Sequence, residues 1–125
     1  MKDGKYVILY VDDDKDFLEA TSMVLESNGY IVETARSAEE GLRLYKTVNP
    51  DLILADLMME EVDAGTGLVK DLKLAGNKAP VFMLSSVGNQ LSQSIDYNEI
   101  GLSGVFQKPV NFDDLLRTFK SKLGA

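Results

Sequence analysis

The chain has 125 residues, a length that suits one ordinary domain able to bury roughly two-thirds of its unfolded surface. Its 13 Lys and Arg stand against 20 Asp and Glu, a net charge of −7, so most of its surface repels a nucleic-acid backbone. With no cysteine and no histidine, it is denied disulfides, a zinc knuckle, a thiol nucleophile and an internal phosphohistidine step; chemistry is left to carboxylates, hydroxyls and lysine.

In chain order, the first apolar run is Tyr6 to Val11 (YVILYV), closed by Asp12, Asp13 and Asp14. It reads as a strand, since an apolar run of this length falls far short of the ~20 residues that span a bilayer. Phe17, Leu18, Thr21, Val24 and Leu25 then share one stripe at helical spacing, and Asn28-Gly29 is a stop signal. A second strand follows over Tyr30 to Ala35, and Ser37 with Glu40 three residues on forms a capping box for the next helix. The third strand is Leu52 to Asp56, and Leu68, Val69 and Leu72 mark the helix after it. The fourth strand is Pro80 to Ser85. Residues 89–100 then carry a sparse stripe of Leu91, Ile95 and Ile100 among polar residues, the pattern of a loosely held fourth helix. A fifth strand, Gly104 to Gln107, precedes Asn111, a helix cap, and the stripe Phe112, Leu115, Leu116, Phe119 and Leu123.

Four of the five strands are apolar nearly throughout, as expected where helices cover both faces of a sheet. Five strand-helix units at this spacing specify an α/β fold, a parallel sheet with right-handed crossovers in a three-layer sandwich. Ligands of such folds bind beyond the carboxyl ends of the strands. There the sequence places Asp12-Asp13-Asp14, Asp56, Ser85-Ser86 and Lys108. Strands one and three should be neighbours, which brings Asp12, Asp13 and Asp56 together and calls for a cation, either a metal or the Lys108 ammonium. Oxygen ligands without His or Cys suit a hard ion, and Mg²⁺ fits best. Such an ion beside a free carboxylate, a hydroxyl and a lysine is a kit for phosphoryl transfer, with Asp56 as nucleophile.

The stretches YVILYVDDD, PDLILADLMM (Pro50 to Met59), PVFMLSS (Pro80 to Ser86) and FQKPV (Phe106 to Val110) together resemble the receiver domains of the two-component response-regulator family. The resemblance extends over essentially the whole chain, one receiver domain over 1–125. It implies a flavodoxin-like sheet in the order 2-1-3-4-5. It further implies that Asp12, Asp13, Asp56 and the backbone carbonyl of Met58 hold Mg²⁺, and that Asp56 accepts phosphate. Ser85 would be the switch hydroxyl and Lys108 the ion-pairing partner of the phosphoryl group. The implied partners are a histidine kinase or histidine phosphotransfer protein upstream, and a target protein or fused output domain downstream. A phosphorylation-dependent homodimer is compatible with this; membrane insertion and direct nucleic-acid contact are not expected, and the location is cytoplasmic. Beyond its own phosphorylation and slow dephosphorylation, no small-molecule turnover is expected. The signal would be read from the face made by the fourth helix, fifth strand and last helix.

Three departures stand out. Glu60 takes the place of a common proline, Val105 replaces the aromatic residue three before the lysine, and Met58 and Val87 are apolar where relatives often carry polar residues. The last pair predicts slow loss of phosphate from Asp56. Phe106 should point to the opposite face from Val105. Two enzyme and cofactor readings compete poorly: dehalogenase-type phosphatases need a second acid where Met58 stands, and a flavodoxin-type FMN cradle would not carry three aspartates. The alternative that survives is a pseudo-receiver, a docking module that keeps the fold without phosphorylation.

Overall fold

Strand alternation divides the core into two layers, one on each face of a single sheet. The computed structural model describes residues 4–56, 64–86, 103–108 and 110–123. The order of elements is β1 (Val7–Val11), α1 (Lys15–Ser27), β2 (Ile31–Ala35), α2 (Ala38–Val48), β3 (Leu52–Asp56), α3 (Ala64–Leu74), β4 (Val81–Ser86), β5 (Gly104–Lys108) and a last helix (Phe112–Leu123). The strands pair in parallel in the order β2-β1-β3-β4-β5, as expected from the sequence. The helix expected over 89–100, together with Met58, Glu60, Val87 and Pro109, lies outside the described residues.

On one face, Leu9, Val11, Ile53, Ala55, Val81 and Met83 pack with Leu68 and Leu72 of α3 and with Leu42 and Tyr45 of α2. The other face carries Ile8, Tyr10, Leu52, Leu54, Phe82 and Leu84, covered by Leu18 and Leu25 of α1 and by Leu115 and Phe119 of the last helix. These strands are buried along their length because each successive side chain meets a helix. β2 is an edge, and its Glu33 and Thr34 are less covered accordingly. Val105 packs with the α2–α3 layer, whereas Phe106 joins Phe82 and Phe119 on the other face, with ring centroids 5.6 and 6.4 Å away. The expected inversion of Phe106 relative to Val105 is therefore observed.

The helix boundaries follow the sequence signals atom by atom. Ser37 Oγ accepts from Glu40 N at 3.1 Å, and Asn111 Oδ1 accepts from Asp114 N at 3.2 Å. At the end of α1, Gly29 takes φ of 90°, which lets its N–H reach Glu26 O and Tyr30 N–H reach Leu25 O. These two bonds satisfy carbonyls the helix leaves open and turn the chain into β2.

Candidate functional site

Two crossovers deliver the site. β1 and β3 are hydrogen-bonded neighbours, with Val11 opposite Ala55, so the residues that follow Val11 emerge beside Asp56. The N–H of Asp12 donates to Ala35 O at 3.0 Å and carries the β1–β2 ladder one step past the strand. Asp14 then caps α1, its Oδ1 accepting from Phe17 N at 3.2 Å. Of the three consecutive aspartates, one is therefore a helix cap facing solvent, and the other two are held at the mouth of the sheet.

Asp12, Asp13 and Asp56 each present a carboxylate oxygen within 4.8 Å of the others. Asp12 is fully buried, Asp56 is 4% exposed and Asp13 is half-buried. At that separation two carboxylates repel by roughly 3–4 kcal/mol with an effective dielectric constant near 20, so the cluster calls for positive charge, which a dication would supply. Oxygens on opposite sides of an Mg²⁺ ion lie about 4 Å apart, and the ion takes few carboxylates while retaining water. The oxygen-only donor set and its spread fit such an ion.

One partner of the cluster was not singled out from sequence. The Tyr10 hydroxyl, fully buried on the same face of β1, donates to Asp12 Oδ2 at 3.0 Å, and Asp14 N donates to Asp12 Oδ1 at the same distance. Burial, and then the negative charge of Asp12, push the Tyr10 phenol well above its usual range, so it remains a donor at neutral pH. The signal was available: Tyr10 stands two residues before Asp12, and strand periodicity puts both on one face.

The remaining expected residues are placed by their backbones. Asp56 pairs with Leu84, and one and two residues further on Ser85 pairs with Gln107 and Ser86 with Lys108. The carboxyl ends of β3, β4 and β5 thus run side by side at the rim that holds the acid cluster. A cavity of about 530 Å³, lined by Tyr6, Asp51, Lys78 and Lys122 among others, lies at the opposite, amino-terminal end of the strands and shares none of these residues.

A sequence model of the family described as response regulator receiver domain matches residues 8–120. The chain belongs to this family. The receiver is 33% identical over 116 residues to the transcriptional regulatory protein GlrR of Escherichia coli (strain K12), covering 93% of this chain and 26% of that protein. Among solved structures it is similar to the CheY-like receiver domain protein of Methanospirillum hungatei JF-1, with a TM-score of 0.85 at 34% identity, covering 97% of this chain and 95% of that one. It is likewise similar to the chemotaxis response regulator CheY4 of Vibrio cholerae, with a TM-score of 0.84 at 28% identity, covering 95% of the receiver and 99% of that chain. The receiver spans 26% to 50% of the length of the curated relatives it matches. No described helix is long and apolar enough to cross a membrane.

Proposed function

We propose that this receiver is a Mg²⁺-dependent phosphoacceptor, modified on Asp56 by a partner histidine kinase or phosphotransfer protein. The observation that carries the reading is the convergence of Asp12, Asp13 and Asp56 at the carboxyl edge of the sheet, with Asp56 at the end of β3. Asp12, Asp13, Asp56 and the carbonyl of Met58 would hold the ion, which when bound supplies positive charge to the phosphoryl oxygens. An Asp56 carboxylate oxygen forms the new O–P bond as the P–N bond of the donor's phosphohistidine breaks, and the imidazole leaves with the electron pair. The Ser85 hydroxyl is assigned a hydrogen bond to the phosphoryl group and the Lys108 ammonium an ion pair with it. The parallel arrangement of β3, β4 and β5 supports both assignments.

Phosphorylation would redistribute two conformations of the surface built from residues 89–100, β5 and the last helix, and a target protein or fused output domain would read the difference. The names of the curated relatives are those of transcriptional regulatory proteins, which makes a gene-regulatory output the natural expectation for a longer parent chain. With its net charge of −7, the receiver itself would not touch the nucleic acid, and it would work in the cytoplasm as one domain over 1–125.

Incubation with acetyl phosphate or phosphoramidate and Mg²⁺ should add roughly 80 Da, one phosphoryl group. Asp56→Asn, or a chelator, should abolish the addition. An unchanged mass in the unmodified sequence would leave the pseudo-receiver, a docking module without phosphorylation, as the reading to adopt.

A further inference from the structure

Tyr10 is an odd choice for a purely apolar core position. Its ring lies in the layer formed by Ile8, Leu54, Leu84 and Leu115, where phenylalanine would fill nearly the same space without a polar atom. A hydroxyl with no access to water must find a partner, and this one finds Asp12 Oδ2 at 3.0 Å.

The other oxygen of Asp12 is held as well, by Asp14 N at 3.0 Å. One donor comes from the strand and one from the start of the helix, so both rotation of the carboxylate and its tilt are fixed by rigid elements. A carboxylate oxygen can accept twice, so neither of these two bonds by itself bars a cation from the oxygen it engages. Both donors are uncharged. Neither of these two donors itself takes a cation's place, as an ammonium or guanidinium would.

We infer that Tyr10 is a positioning residue for Mg²⁺: its hydroxyl holds Asp12 in the orientation that faces Asp13 and Asp56, and so strengthens binding of the ion. The inference rests on the phosphoacceptor reading for the identity of the ion, and goes beyond it in giving a core tyrosine a part in the site. Partners that orient metal-ligating carboxylates commonly contribute 10- to 100-fold in affinity.

The test is a Mg²⁺ titration of the full chain and of Tyr10→Phe, which keeps the ring and removes the hydroxyl. The dissociation constant should rise about tenfold in the variant. The chain has five tyrosines and no tryptophan, so near-ultraviolet absorption provides a second readout. Mg²⁺ should perturb the tyrosine spectrum of the unmodified chain with the midpoint found by calorimetry, and Tyr10→Phe should lose most of that difference. Equal affinities in a folded variant overturn the inference and leave the phosphoacceptor reading standing. Failure of the unmodified chain to bind Mg²⁺ removes that reading itself. Should Tyr10→Phe not fold, the spectrum of the unmodified chain decides: a perturbation that tracks binding supports the role of Tyr10, and binding without one overturns it.

Discussion

Asp51 shows how much a single side chain does away from the site. Its Oδ2 accepts from Val7 N at 2.8 Å, and its own N–H donates to Val7 O at 2.8 Å, so it begins the β1–β3 pairing with a side-chain acceptor in the backbone ladder. Asp51→Ala should therefore lower stability by about 1–2 kcal/mol, because Val7 N–H is left without its acceptor in a partly buried place. Urea unfolding should show a lower midpoint with an unchanged slope; an unmoved midpoint would show that water replaces the carboxylate at no cost. In the sequence, this acid is one of twenty and could not be told from its neighbours. The same is true of Asp12, Asp13 and Asp14, which look alike in a row and separate only when burial sorts them into a fully buried residue, a half-buried one and an exposed cap. Periodicity reports which side of a strand a residue faces, and it says nothing about which hydrogen-bond donor waits there.

At the scale of elements, sequence reasoning did better, since helix caps and strand periods are local. Ser37, Asn111 and Gly29 do what their residue types suggest, and β3 begins and ends at Leu52 and Asp56 as read from LILAD. What local signals could not supply is the fit of one element on another. Gly41 lies within α2, where glycine lowers helix propensity by about 1 kcal/mol relative to alanine. The structure gives the reason for its presence: a Cβ there would come within 2.7 Å of Val11 Cγ2 and 3.3 Å of Val11 Cγ1. Val11 is fully buried and β-branched at the end of β1, immediately before Asp12, so it has little room to turn away. Gly41→Ala should destabilise the protein by about 1–3 kcal/mol despite its better helix propensity. Adding Val11→Ala should restore part of the loss in a double-mutant cycle, and strict additivity would mean that the two residues do not press on each other.

For the molecule as a whole, the legible part was topology and the hidden part was energy. Alternating strands and helices specify a parallel sheet, and in the order observed β1 and β3 are adjacent, which brings Asp56 beside Asp12 and Asp13. The closeness of the three oxygens has a consequence for folding that no segment carries by itself. Without a cation, the native state brings Asp56 within 4.8 Å of Asp12 and Asp13, a repulsion largely missing from the unfolded chain, where Asp56 lies far along the sequence from the other two. Mg²⁺ should accordingly bind the folded chain in preference to the unfolded one, and at ten times its dissociation constant it should add about 1.4 kcal/mol of stability. For a chain of this size that is a rise of about 5 °C in melting temperature, reversed by a chelator. Asp13→Asn separates electrostatic crowding from any general effect of salt, because it removes one charge from the half-buried member and leaves the Tyr10 and Asp14 bonds to Asp12 in place. The variant should melt higher than the unmodified chain in chelator and gain much less from Mg²⁺. Thermal melts of both proteins, with and without Mg²⁺ at constant ionic strength, check the two signs together; an equal Mg²⁺ response in both would mean that the ion binds elsewhere on the molecule.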